Sequence, residues 1–80
     1  MIFKGSENSP RTHALLAQAF YEAGFPPGVV NFIISAPEDA GAVTQALIAH
    51  DTVRRVNFTG STKVGRMIAQ TSAKYLKRSL

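Results

Sequence analysis

The chain has 80 residues, 45% of them hydrophobic and none of them cysteine, with nine Lys and Arg against five Asp and Glu for a formal charge of +4. That length suits one small domain, or part of one, with a marginal core. The apolar content argues against disorder, and the missing thiols exclude disulfides, cysteine-based metal sites and a thiol nucleophile within these residues. No apolar run approaches the ~20 residues of a membrane helix, and the start Met1-Ile2-Phe3-Lys4 lacks the layout of a secretory signal. A soluble, cytoplasmic protein is therefore expected.

Residues 2–4 read as the end of a strand, and Ser9-Pro10 as a helix start, a cap residue followed by Pro at the first helical position. Leu15, Leu16, Ala19, Phe20 and Ala23 then fall on one helical face, and Gly24 ends the helix. Pro26-Pro27-Gly28 is a turn. The run Val29 to Ile34, interrupted only by Asn31, suits a strand buried on both faces of a parallel sheet. Pro37-Glu38-Asp39 begins a second helix, whose face is Ala40, Val43 and Leu47 and whose end is His50-Asp51. Val53 to Phe58 is a third strand. A third helix starts near Ser61 or Thr62 and presents Val64, Met67, Ile68, Thr71 and Tyr75 along one side.

The order is β-α-β-α-β-α, with strands about 25 residues apart, which predicts an α/β fold: a partial parallel sheet with helices on its faces. The sequence predicts no closing strand after the basic helix end Lys74 to Leu80. Lys63, Arg66, Lys74, Lys77 and Arg78 all follow Gly60 with no acid among them. A nucleic-acid surface is one reading of that excess. The favoured reading is a solvated helix whose last-turn cations suit its dipole.

The run Phe58-Thr59-Gly60-Ser61-Thr62-Lys63-Val64-Gly65 reads as a strand that ends, turns on a glycine and enters a capped helix. Free N–H groups and a positive helix end make such a turn a natural host for an anion, above all a phosphate. Gly60 would let a ligand approach the backbone, Ser61 would cap the helix or bond a phosphate oxygen, and Gly65 would leave room for a flat group. The same residues equally suit an ordinary capped strand-to-helix turn. Two common phosphate fingerprints are excluded: Gly65 is followed by Arg66-Met67 rather than Lys and Ser/Thr, and no window reads G-x-G-x-x-G.

A second candidate is Lys4-Gly5-Ser6-Glu7. Ligands of open α/β sheets bind at the carboxyl ends of the strands, which would bring Lys4 and Glu7 to the same sheet edge as Gly60 and Ser61. There the carboxylate could accept from ribose hydroxyls and the lysine could donate to them, although a solvated charge pair explains the same two residues. His13 and His50 have no partner at metal-ligand spacing, so no metal site is expected.

Three blocks together resemble the aldehyde dehydrogenase superfamily: Lys4-x-Ser6-Glu7-x-x-Pro10, Ala23-Gly24-Phe25-Pro26-Pro27-Gly28-Val29-Val30-Asn31, and Phe58-Thr59-Gly60-Ser61-Thr62-x-x-Gly65-Arg66. They occur in that family's order and spacing and span nearly the whole chain. The detailed wording is most similar to the bacterial subgroup that oxidises aromatic aldehydes such as vanillin and salicylaldehyde. The resemblance implies that residues 1–80 are part of an NAD(P)-binding domain of Rossmann-like topology. It implies that Lys4 and Glu7 hold the adenosine ribose, that Ser61, with Gly60 before it, lies at the pyrophosphate, and that Val64 forms an apolar wall of the adenine pocket. Glu7 tilts the cofactor to NAD, because a carboxylate near the 2′-oxygen repels the extra phosphate of NADP; some members accept both.

One departure from the family pattern is Ser35-Ala36-Pro37-Glu38-Asp39, where many members have a glycine-containing turn. The family's catalytic cysteine and general-base glutamate are expected downstream of Leu80, and its oxyanion asparagine upstream of Met1. The expected protein is therefore a fragment of an NAD-dependent aldehyde dehydrogenase that carries no catalytic residue and is inactive alone. A homo-oligomer is expected when the enzyme is complete, with no nucleic-acid or membrane partner. The alternative is an autonomous, non-catalytic α/β module that binds a nucleotide or another anion.

Overall fold

The computed structural model describes residues 1–80, in two compact units, Met1–Glu38 and Asp39–Leu80. In the first unit, β1 (Ile2–Lys4) leads through a short turn into α1 (Pro10–Glu22) and then β2 (Asn31–Ile33). The strands are parallel, with Ile2 opposite Asn31, Phe3 opposite Phe32 and Lys4 opposite Ile33. Their ladder continues at both ends, where Asn31 N donates to Met1 O at 3.0 Å and Gly5 N donates to Ile33 O at 2.9 Å. The Phe3 and Phe32 rings lie 5.4 Å apart, and the His13 ring of α1 packs 5.6 Å from Phe3.

The face of α1 turned inward differs from the expected one. His13, Ala17 and Phe20 are the half-buried residues, at spacings of four and three, whereas Leu15 and Leu16 are 67% and 50% exposed. Helix α1 has apolar residues on more than one side, and the side that carries an imidazole able to pair with the β1–α1 turn is the one that docks. The helix ends at Gly24, whose φ of +93° is a conformation that favours glycine. Gly28, at φ +86°, follows Pro27 in a turn closed by Val29 N donating to Pro26 O at 3.2 Å, the arrangement of a type II turn. That turn consumes Val29 and Val30, so β2 is three residues long rather than the doubly buried run from Val29 to Ile34. Asn31, the polar interruption, has a role of its own: its Nδ2 donates to Gly28 O at 2.9 Å and Met1 O at 3.1 Å, tying turn to strand.

A single 3-10 turn (Pro37–Asp39) carries the chain from the first unit into the second, where α2 (Ala40–Ala49) is followed by β3 (Arg55–Val56), α3 (Thr62–Lys74) and β4 (Arg78–Ser79). The expected helix start at Pro37 is thus a 3-10 turn, and the expected strand Val53–Phe58 forms a ladder only at Arg55 and Val56. A closing strand, not expected from the sequence, is present: β4 runs parallel to β3, with Arg55 opposite Arg78 and Val56 opposite Ser79. Phe58 N donating to Leu80 O and Leu80 N donating to Val56 O, both at 2.9 Å, extend it. Parallel pairing in both ladders agrees with the α/β reading of alternating strands and helices. Helices α2 and α3 pack together and contain the two most buried side chains of the unit, Ile48 and Ser72.

The reversal from α3 into β4 explains why that strand was hidden. Lys77 N donates to Ser72 O at 2.8 Å and Leu76 N donates to Ala73 O at 3.1 Å, the paired bonds of a Schellman ending. Its left-handed position, which usually holds glycine, is taken by Leu76 at φ +56°. Lys77 Nζ then donates to His50 O at 2.8 Å, a carbonyl that also accepts from Val53 N, and to Val53 O, tying the chain after α3 to the segment between α2 and β3. Leu76 is 94% exposed, so its side chain buries nothing that offsets its backbone strain. Leu76→Gly is expected to raise the stability of the second unit by about 0.5–1 kcal/mol, read as slower amide exchange in α3 and a higher melting temperature.

Candidate functional site

Two groups of residues singled out in the sequence come together, one in each unit. In the first, Lys4 ends β1 and Glu7 lies in the following turn. Lys4 Nζ donates to Glu7 Oε1 at 2.6 Å, with both side chains about one-fifth exposed. The two side chains thus form the charge pair that the sequence allowed. Ser35, just beyond β2, adds a third member by donating its Oγ to the same carboxylate oxygen at 3.4 Å. Donation from Lys4 is the main cause that holds the Glu7 carboxyl below its ordinary value of 4.5; the Glu7 backbone amide, the charge of Lys4 and the Ser35 hydroxyl act in the same direction, and burial opposes them. The result is a fixed, ionised acceptor beside a cation at a strand's carboxyl end, suited to hydroxyl groups.

The turn that presents Glu7 is pinned along its main chain. Asn8 N donates to Ser6 Oγ at 3.2 Å and Ser9 N to Ser6 O at 3.2 Å. Ser6 N donates to His13 Nδ1 at 2.8 Å. Gly5 is buried, and a Cβ there would lie 2.7 Å from Cε2 of Phe32. Ser9, expected to cap α1, makes no side-chain cap bond. Sequence reasoning missed both His13 and Ser35. A histidine seven residues after a turn serine has no pattern of its own, and Ser35 reaches Glu7 only because β2 lies beside β1.

In the second unit, Gly60, Ser61, Val64 and Gly65 lie together at the start of α3. Ser61 is the N-cap, extended at φ −68° and ψ 149°, and its Oγ accepts from Val64 N at 3.3 Å. Its carbonyl accepts from Gly65 N at 2.9 Å. An open hollow here is lined by Phe58, Gly60, Ser61, Thr62, Gly65 and Arg66, among others. The first N–H groups of a helix have no acceptor within it, and with Arg66 they give the hollow a positive lining suited to an anion. Val64 is 43% exposed and offers an apolar surface on the first turn.

Both glycines lie beside the ring of Phe58. A Cβ on Gly60 would lie 2.6 Å from Cζ of Phe58, and one on Gly65 would lie 3.4 Å from Cε1 of the same ring. The space above Gly60 is thus filled by the chain's own aromatic ring. Elsewhere, His50 Nδ1 accepts from Thr52 N at 3.2 Å in a local turn, and no three His, Cys, Asp or Glu side chains converge as metal ligands.

The aldehyde dehydrogenase family profile matches residues 1–80, and the chain belongs to that family. It is 56% identical over 77 residues to the vanillin dehydrogenase of Pseudomonas sp. (strain HR199 / DSM 7063), covering 96% of this chain and 16% of that protein. The crystal structure of a salicylaldehyde dehydrogenase from Pseudomonas putida G7, complexed with salicylaldehyde, superposes with a TM-score of 0.94 at 53% identity over 99% of this chain and 16% of that one. A putative methylmalonate-semialdehyde dehydrogenase from Sinorhizobium meliloti 1021, complexed with NAD, gives 0.84 at 32% identity over 98% and 15%. The chain spans about one-sixth of the length of the curated relatives it matches.

Two outcomes are expected from this geometry. Because folding depresses the Glu7 pKa, its contribution to stability is complete above the unfolded value near 4.5 and is lost as pH falls through the lower folded value. Amide protection factors in β1 and β2, corrected for the intrinsic pH dependence of exchange, should fall over that range in the parent chain and show less acid dependence in Glu7→Gln. Ser61→Ala should destabilise the start of α3 by about 1 kcal/mol, and Ser61→Asp should restore it, both read from amide exchange of Val64.

Proposed function

We propose that residues 1–80 form part of the cofactor-binding region of an NAD-dependent aldehyde dehydrogenase that converts an aldehyde, of the aromatic class, to a carboxylic acid. The observation that carries the reading is the Lys4–Glu7 pair at the end of β1, an ionised carboxylate held in place by a neighbouring cation. Such a carboxylate accepts the hydroxyls of an adenosine ribose and repels a phosphate on the 2′-oxygen. Ser61, with Gly60 before it, faces the pyrophosphate; Val64 borders the adenine, and Gly65 keeps the first turn of α3 clear. The hollow with its helix start and Arg66 has the charge this assignment requires. The aromatic class is supported by the names of the vanillin and salicylaldehyde dehydrogenases, and NAD by the relative solved with it.

When bound, the nicotinamide accepts hydride from the substrate carbon. The residues present here bind and orient the adenosine end of that cofactor. None is the nucleophile: the chain has no cysteine, and thioester chemistry needs a thiolate. On this reading the enzyme is a cytoplasmic homo-oligomer, and the isolated 80 residues oxidise no aldehyde. No helix of the structure is long and apolar enough to cross a membrane.

Calorimetric titration of the chain with NAD and NADP, with folding followed by circular dichroism, tests the proposal. Weak NAD binding, tighter than NADP by about fivefold and levelled by Glu7→Gln, is the expected result. Tight binding that ignores the 2′-phosphate and survives Glu7→Gln would favour a general anion-binding module instead. Aldehyde oxidation by the chain alone would refute the assignment of catalysis to residues outside it.

A further inference from the structure

The turn between β1 and α1 holds its main-chain groups with partners from three sources. Gly5 N donates across the strand ladder to Ile33 O at 2.9 Å, and Asn8 N and Ser9 N donate to Ser6 itself. The partner of Ser6 N is the Nδ1 atom of His13, at 2.8 Å, from the first turn of α1. Nδ1 accepts an N–H only when it carries no proton, so the ring proton of neutral His13 lies on Nε2. The ring has little freedom to leave this position. It is half-buried, packs 5.6 Å from the Phe3 ring at a tilt of 37°, and has its Cβ 3.3 Å from where a Cβ of Gly5 would sit.

Ser6 immediately precedes Glu7, and its amide defines the peptide plane one residue before the one from which the Glu7 side chain departs. Without an acceptor at Nδ1, that half-buried N–H would be left unpaired, and the turn would have to rotate toward water to satisfy it. We propose that His13 is the positioning residue of the Glu7 turn: its Nδ1, by accepting the Ser6 N–H, holds Glu7 where it meets the hydroxyls of a bound ribose. This rests on the reading of Lys4 and Glu7 as the ribose site. His13 touches neither cofactor nor substrate and acts through the backbone of residues 6 and 7.

The test compares the 80-residue chain with His13→Leu, which removes the acceptor, and His13→Asn, whose short side chain can place an oxygen near Nδ1. Nuclear magnetic resonance at pH 8 should find the imidazole proton on Nε2 and slow exchange of the Ser6 amide. The Overhauser contact between Lys4 Hε and Glu7 Hγ should persist in the parent and in His13→Asn and fade in His13→Leu. NAD should bind about tenfold more weakly to His13→Leu and within about threefold of the parent to His13→Asn. Inorganic pyrophosphate, which has no ribose, should bind all three alike. A proton on Nδ1, a fast Ser6 amide, or Leu and Asn variants that behave alike would overturn the proposal. So would parallel losses of NAD and pyrophosphate binding, which mark general unfolding. If the parent binds no NAD, residues 1–80 alone do not retain the cofactor, and the Ser6 exchange and the Lys4–Glu7 contact decide whether His13 orients the turn.

Discussion

A phenylalanine ring occupying the space that a glycine leaves open is the contact on which both candidate regions depend. At the end of β1 the Phe32 ring fills the Cβ position of Gly5, and after β3 the Phe58 ring fills that of Gly60. In each case an aromatic side chain from a strand, or from the residues just past it, occupies the space beside bare backbone. The close approach fixes where the following turn begins, and each turn carries the polar group of interest, Glu7 in one unit and Ser61 in the other. Neither glycine has a positive φ. The constraint at both positions is therefore steric, a matter of what the neighbouring ring occupies.

The two turns then differ in electrostatics. The Glu7 turn concentrates an acid, a base and a hydroxyl on one carboxylate oxygen, which favours a fixed ionised acceptor. The Ser61 turn has no acid in the first turn of its helix and presents free amide groups with Arg66 nearby.

Much of the fold was legible because its signals are local. Pro10 and Gly24 bracket α1, Gly28 after Pro27 marks a turn, and Ser61 caps α3, each through the backbone preference or capping bond of one residue. What was misread depended on partners distant in sequence. Strand lengths were overestimated at Val29–Ile34 and Val53–Phe58 because apolar runs report burial, whereas a strand forms only where a second backbone offers hydrogen bonds. The strand Arg78–Ser79 went unseen because it is polar, two residues long and preceded by Leu76 where glycine would have announced the helix end. The docked face of α1 was missed because His13 counts as polar in any periodicity, yet its ring packs on Phe3 and its Nδ1 binds Ser6.

By itself, then, the sequence determined the alternation of strands and helices, the family, and the residue types from which a nucleotide site could be built. These are properties of spacing and of individual side chains. Only the tertiary structure decided that Ser35 joins the Lys4–Glu7 pair, that His13 holds the turn beside it, and that Phe58 fills the gap above Gly60. The physical reason is that a hydrogen bond or a ring contact needs atoms within a few ångströms. The parallel register of β1 with β2, the docking of α1, and the turn after β3 establish those distances, and no single stretch of the chain encodes them.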